Sequence, residues 1–422
     1  MWAHKVAANS REEFVSVLLS RKFFGLDLSR GVVLLERRAD HPFVPLGKER
    51  RLRVCRGSPP LPAAAWRVNG ERPLTFKSGL GVGIYWFEQL GLFKRGREWA
   101  VASSCKNRPP FFGWERVAGW AVAELLREAP YWRFWPPLKG PVEGHLLIAG
   151  SSGSGKTTFL KRYLSWVGKW YVVDLTEEGE YVGLAATVEG SVDLASLNAE
   201  EQALLYSLGV AATVGAREAA VSAVQLGALK LLARRGLGLD GLLEELRTAG
   251  DIPQLTREVL FTKLSAACEG FENGRCRPHP ALTKDVDLPP PPAVIRVSPS
   301  NLLVAAIVAH GVLAKLLKRG GVFVAVDEYH KIAPRLPVED PVERALREGR
   351  HRGVALAVAT QNPLDVKESL ASVVGNYVFF NLAGPAARFA AEVLNVPQWA
   401  VESLKPGEYL AKLRHGPAAG AV

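Results

Sequence analysis

The chain has 422 residues, 48% hydrophobic and 23% charged, the balance of a globular protein with two or three domains. That composition excludes the collagen-like, disordered and membrane-array classes. With 53 Lys and Arg against 42 Asp and Glu, the formal charge is +11, which favours contact with a polyanion or an anionic membrane face.

The first residues, MWAHKVAANSREEF, lack a basic start followed by an apolar run and a small-residue cleavage site, which predicts a chain that stays in the cytoplasm. Through residues 1–140, short runs such as GVVLLE and GIYWFEQLGLF are split by Pro and Gly, the pattern of a mixed, strand-rich domain. It carries a basic patch, KERRLRVCR, and no catalytic signature. Its aromatic surplus reads as core packing and not as a platform for stacking bases. WERVAGWAVAELLRE reads as a helix, and the Pro- and Trp-rich PYWRFWPPLKGP as the connector that closes the domain. Cys55 and Cys105 belong to no metal-binding spacing and are expected in the core.

From Gly144 the pattern changes to short apolar runs followed by helices, the signature of parallel βαβ units. HLLIAG, WYVVD, AVIRVS, VFVAVDE, GVALAVATQ and NYVFFNL read as six buried strands of an α/β fold with a parallel central sheet. The expected core occupies residues 141–190 and 291–415, interrupted by an all-α insertion at 191–290. In that insertion EEQALLYSLGVAATV and VSAVQLGALKLLARR repeat apolar positions at helical spacing, and DLPPPPAVIRV returns the chain to the sheet. Cys268 and Cys276 would form a bridge in a heat-adapted cytosolic protein, a source that the single methionine also fits. The longest apolar run, LLVAAIVAHGVLAKLL, is shorter than the roughly 20 residues of a membrane span and contains His310 and Lys315. It reads as a core helix, leaving the chain without a transmembrane segment of its own.

Three stretches carry chemistry. In HLLIAGSSGSGKTTFLKRYLSWVG a strand runs into Gly150, Ser151, Ser152, Gly153, Ser154 and Gly155, and a helix opens near Lys156, Thr157 and Thr158 and ends near Gly168. The pattern GxxxxGK[ST] between a strand and a helix is a phosphate loop: glycines let backbone N–H groups turn inward on phosphate oxygens, and the helix N-terminus adds its positive end. Lys156 would reach the β and γ phosphates of ATP, and the Thr157 hydroxyl would bind Mg²⁺. In VFVAVDEYHK a buried strand delivers Asp327, to hold Mg²⁺ through water, and Glu328, to orient and deprotonate the attacking water. In GRHRGVALAVATQ, Gln361 at the end of the strand would donate to phosphate and accept from water. Arg350 precedes the same strand, about 20 Å away if the strand is extended, where it suits the nucleotide of a neighbouring subunit better than its own. Arg347 and Arg352 are rivals for that role.

GHLLIAGSSGSGKTT, VFVAVDEYHKIA, and GRHRGVALAVATQNPLDV followed by GNYVFFNL resemble the HerA/FtsK superfamily of ring-forming, DNA-pumping P-loop ATPases. VVDLTEEGEYVGL, with Asp174 and the triplet Gly179, Glu180 and Tyr181, resembles the HerA branch in particular, and the eleven positions from Arg350 to Gln361 match the trans-acting arginine and sensor glutamine of conjugative coupling ATPases. The resemblance implies a RecA-like core of the ASCE P-loop type, assembled as a homo-hexamer around double-stranded DNA bound without sequence preference. Its implied activity is ATP-driven DNA translocation or helicase-like work, with Mg²⁺ as cofactor and a nuclease or membrane machine as a further partner. The alternatives within the group are a type IV secretion, conjugation or pilus-type motor and a viral genome-packaging ATPase; outside it stands a non-hydrolysing nucleotide-binding scaffold. The chain departs from the group in showing no N-terminal β-barrel pattern, no transmembrane domain and no C-terminal sequence-reading domain. Lys331 and Arg335, after the Asp327 strand, are candidates to line the pore.

Overall fold

The computed structural model describes residues 2–19, 25–27, 31–35, 38–48, 64–69, 92–95, 98–103, 114–117, 130–213, 222–333, 341–366 and 373–422. The chain divides into two compact units. One is Met1–Lys139 with Ala387–Leu404 and Glu408–Ala421; the other is Gly140–Ala386 with Lys405–Gly407 and Val422.

The first unit is built on eight antiparallel strands: β1 (Trp2–Val6), β2 (Gly25–Asp27), β3 (Val32–Leu35), β4 (Phe43–Lys48), β5 (Ala64–Asn69), β6 (Leu92–Arg95), β7 (Glu98–Ser103) and β8 (Trp114–Val117). Their order is β4-β1-β3-β2-β7-β5-β8, with β6 on β7. Helix α1 (Arg11–Leu19) starts where Ser10 Oγ accepts the N–H of Glu13 at 3.1 Å, and it buries Phe14, Val15 and Leu18. One expectation fails here and another holds in part. WERV is strand β8, paired with β5 from Trp114 against Val68 to Val117 against Ala65, because an aromatic and a β-branched end suit a sheet edge better than a helix start. The rest of that expected helix, 118–129, lies outside the described residues, as do Cys55, Cys105 and KERRLRVCR beyond Lys48. The boundary expected in the Pro- and Trp-rich segment holds, falling between Lys139 and Gly140, but the first half of that segment belongs to the core: Tyr131, Trp132, Phe134 and Trp135 are all buried, and the Trp135 indole donates to the carbonyl of Ala8 at 2.8 Å. Large aromatic surfaces gain more from burial than a Pro-rich composition gains from solvent.

The second unit holds β9 (Leu146–Ala149), β10 (Trp170–Asp174), β11 (Ala186–Glu189), β14 (Ala293–Arg296), β15 (Phe323–Asp327), β16 (Ala355–Thr360) and β17 (Asn376–Phe379). All are parallel, in the order β11-β14-β10-β15-β16-β9-β17. Six are the strands read from sequence. The seventh, β11, is an edge strand of mostly exposed residues, so it lacks the apolar run that marks the others. Strand β16 lies between β9 and β15, which sets the phosphate-loop strand one place away from the Asp327 strand.

Helix α2 (Lys156–Leu164) follows the phosphate loop, and the insertion contributes α3 (Ala199–Thr213), α4 (Ala223–Ala233), α5 (Leu239–Thr248) and α6 (Gln254–Ser265). A Cβ on Gly209 of α3 would stand 2.6 Å from Ile307, so glycine is what lets α3 approach α7 (Leu302–Arg319) this closely. Helix α7 is the expected core helix, capped by Asn301, whose side chain accepts the Val304 N–H at 3.2 Å. The insertion is not all-α. Strands β12 (Cys268–Glu272) and β13 (Arg275–Pro278) close it as an antiparallel hairpin clasped by the Cys268–Cys276 disulfide. The remaining helices are α8 (Pro341–Glu348), α9 (Gly384–Leu394) and α10 (Gln398–Glu402), and the chain ends in the hairpin β18 (Glu408–Leu413) and β19 (Gly416–Ala421). No helix among the described residues is long and apolar enough to cross a membrane.

Candidate nucleotide site

The C-terminal ends of β9, β10, β15 and β16 converge on one cavity of about 420 Å³, lined by the phosphate loop, Thr176, Glu177, Glu178, Glu180, Glu328, Lys331 and Gln361. Parallel strands with crossover helices bring their carboxyl ends to the same side, so the motif residues meet although up to about two hundred residues of chain separate them.

In the loop, Gly153 has φ +70° and Gly155 has φ +108°, and a Cβ on Gly155 would crowd Gly407 Cα at 3.1 Å and Val422 at 3.2 Å. Gly155 caps α2 with no side-chain hydrogen bond, leaving the helix N-terminus to an anion. Lys156 is buried, its ammonium donating to the carbonyls of Gly150 at 2.9 Å and Ser151 at 3.0 Å. Burial lowers its pKa, opposed by the nearby charges of Glu328 and Asp327.

Asp327 is fully buried. Its Oδ2 accepts the Thr157 hydroxyl at 2.9 Å and the Tyr181 hydroxyl at 2.7 Å, and its Oδ1 accepts the Glu328 N–H at 2.8 Å. Burial raises its pKa, against the three donors that favour its charge. Sheet register places Asp174 beside Asp327, and Asp174 takes donors from Thr176 and from the Tyr181 N–H, fixing the turn after β10.

Glu328 sits at φ 56°, ψ 37°, a left-handed conformation that non-glycine residues rarely adopt and that clusters at functional sites. This turns its carboxylate across the mouth of the cavity, where Gln361 Nε2 donates to Oε2 at 3.1 Å and His330 Nε2 lies 3.4 Å from the same oxygen. Burial lowers the pKa of His330, with the Glu328 charge opposing. Gln361 reaches Glu328 because β16 is inserted beside β15, and Thr360 before it is anchored by a 2.6 Å bond to Asp365.

Sequence reasoning missed His330, whose nearness to Glu328 depends on that left-handed turn, and it offered Lys331 as a candidate to line a pore. The structure puts Lys331 on the cavity wall, its ammonium donating to the Leu175 carbonyl at 3.1 Å and lying 4.0 Å from Glu177. Arg335 lies outside the described residues. Arg350 is in the turn Gly349–Arg352 that precedes β16, at the opposite end of that strand from Gln361, and its side chain lies outside what is described. Arg347 is exposed, and Arg352 is paired with Glu348 at 3.7 Å on the surface.

The residues fit a nucleoside triphosphate with a divalent cation. The loop offers free N–H groups and a lysine, and Thr157, its proton directed at Asp327, is left with lone pairs to offer a cation. No group of three or more acidic, His or Cys side chains poised for a metal occurs among the described residues.

No protein-family model matches the chain, and no curated protein matches it. Among solved structures, VirB4 of Thermoanaerobacter pseudethanolicus superposes with a TM-score of 0.50 at 14% identity, over 68% of this chain and 97% of that one. The bacterial conjugative coupling protein TrwB gives 0.47 at 14% identity over 69% and 91%, and the genome packaging NTPase B204 of Sulfolobus turreted icosahedral virus 2 gives 0.34 at 12% over 66% and 98%. At such identities the likeness is one of fold. The fold is that of a P-loop ATPase, a RecA-like core with a parallel sheet.

Proposed function

We propose that this chain is an ATP-driven DNA motor that hydrolyses Mg²⁺-ATP at interfaces between copies arranged in a ring. The observation that supports it most is the junction of Gln361 with Glu328 at 3.1 Å in the cavity that holds Lys156 and Thr157. A site that only bound nucleotide would not require a carboxylate on a left-handed residue with an amide donating to it.

In this reading residues 150–158 cradle the phosphates and Lys156 leaves its loop carbonyls for the β and γ oxygens. Thr157 would hold the cation directly and Asp327 would hold it through water; the bound ion neutralises charge on the transferring phosphoryl group. Glu328 accepts the proton of the attacking water while Gln361 orients that water and feels the γ-phosphate leave. Arg350, at the far end of β16, is the cation offered to the next copy, with Arg347 and Arg352 as the alternatives to be tested. Double-stranded DNA as cargo is supported by the charge of +11.

Glu328→Gln tests the centre of this reading. Hydrolysis is expected to fall by about a hundredfold or more while nucleotide affinity stays within about twofold; a variant as active as the parent removes Glu328 from its role. Duplex DNA at low salt is expected to raise the parent rate. An unstimulated ATPase would turn the reading to a protein-cargo motor of the secretion or conjugation kind, and absence of turnover to a binding scaffold.

A further inference from the structure

Tyr181 leaves the turn after β10 and has no part in the hydrolysis scheme above. Its side chain is fully buried and does not line the cavity, so it touches no bound nucleotide. Its hydroxyl nevertheless ends on the Asp327 oxygen that also receives the Thr157 hydroxyl, at 2.7 Å and 2.9 Å. The other oxygen is held by the Glu328 N–H at 2.8 Å, so three donors fix this carboxylate and the phenol supplies one of them.

The turn is built around that phenol. Asp174 accepts the Tyr181 N–H at 3.3 Å and the Thr176 hydroxyl at 2.6 Å, and Thr176 in turn accepts the Glu180 N–H at 2.9 Å. Lys161 of α2 lies 5.6 Å from the centre of the Tyr181 ring and is paired with Glu180 at 2.7 Å, tying the turn to the helix that carries Thr157. The β10–β15 register sets Asp174 next to Asp327, which brings the start of this turn level with the carboxylate that the phenol meets.

We infer that Tyr181 is a positioning residue for the divalent cation of the nucleotide complex, acting through Asp327 and Thr157; the inference rests on the nucleotide reading above. A metal ligand must present lone pairs and not a proton. Thr157 does so as long as its O–H is committed to Asp327, and Asp327 accepts it in that direction as long as the carboxylate cannot rotate. Hydrogen bonds to a charged acceptor are the strong ones. With phenylalanine at 181, Oδ2 keeps a single donor, the carboxylate gains freedom, and the Thr157 proton can swing towards the cation. The hold of the phosphate loop on the nucleotide is unaffected, because Tyr181 does not reach it.

The test is equilibrium binding of a fluorescent ATP analogue to the full chain, titrated in EDTA and with increasing magnesium. Tyr181→Phe is expected to bind as the parent does in EDTA and to need about tenfold more magnesium for half of the metal-dependent gain. Thr157→Ala should raise the same midpoint, and the double variant should add nothing to it. An unchanged midpoint, losses that add, or equal weakening with and without magnesium each overturn the inference, the last in favour of general loosening. If Tyr181→Phe does not fold, 3-fluorotyrosine placed at 181 keeps the ring and strengthens the donor; the midpoint must then fall, and an unmoved one overturns the inference. A parent chain that binds no nucleotide overturns the nucleotide reading first and this inference with it, whereas a magnesium-responsive parent with an indifferent Tyr181→Phe overturns only the role of Tyr181.

Discussion

The Glu328 carboxylate shows how one backbone angle organises a site. A left-handed residue directly after a strand reverses the chain and folds His330 back onto the side chain two positions before it. The type of residue was legible, since the hydrolysis proposed above calls for a second carboxylate next to Asp327. The turn was not, because glutamate carries no preference for positive φ and only the surrounding packing imposes it. His4 carries a prediction at this scale. It is buried and neutral, Nδ1–H donating to the Trp2 carbonyl at 3.1 Å and Nε2 accepting the Ala39 N–H at 3.1 Å. Burial lowers its pKa below the usual 6.5, so below that pH the unfolded chain binds the extra proton first. Stability from this site is therefore complete above pH 6.5 and is lost as pH falls through the lowered native value. Thermal melting between pH 7 and 5 should show a decline of a few degrees that His4→Gln flattens; equal slopes for the two proteins would remove His4 as its source.

Elements were legible where burial and periodicity agree. The six apolar strands of the second unit and helix α7 are buried along nearly their whole length, and a residue buried on all sides must be apolar whatever its partners are. Strands β11 and β8 escaped because an edge strand owes its conformation to hydrogen bonds with a neighbour that is distant in sequence, and the β12–β13 hairpin escaped because its mostly exposed residues carry no apolar run. The aromatic run at 131–135 escaped for a related reason, as Pro and Trp side by side satisfy a linker pattern and a core pattern equally. The hairpin also makes a prediction. The disulfide joins residues eight apart, and closing so short a loop stabilises it by about 2 kcal/mol through restriction of the unfolded segment. Cys276→Ser should speed amide exchange across 268–278 by about thirtyfold and leave β9 to β17 unchanged; uniform exchange rates in both proteins would contradict a local role.

At the scale of the whole molecule, the decisive fact is strand order. Inserting β16 between β9 and β15 places Gln361 between the phosphate loop and Glu328, and it separates Gln361 from the basic turn at 349–352 by the length of the strand. The cavity wall at the other end of the strand carries Glu177, Glu178 and Glu180. On the DNA-motor reading proposed above, the charge of +11 would make the grip on DNA one of phosphate contacts. Stimulation by duplex DNA should therefore fall by about tenfold or more between about 50 and 200 mM salt, with little dependence on DNA sequence. Stimulation that is insensitive to salt would point to base contacts instead.

The sequence by itself determined the chemistry on offer: a phosphate-loop motif, two acidic residues at a strand end, a glutamine at the end of the following strand and the apolar strands that carry them. It could do so because phosphate binding and burial each demand particular residue types at short spacing, and such demands are local. Only the tertiary structure decided which groups meet across the sheet, joining Tyr181 to Asp327 and Gln361 to Glu328 and setting Lys331 on the cavity wall. Those contacts depend on register, strand order and one left-handed turn, which arise from the packing of segments distant in the chain and leave no mark on the residues in between.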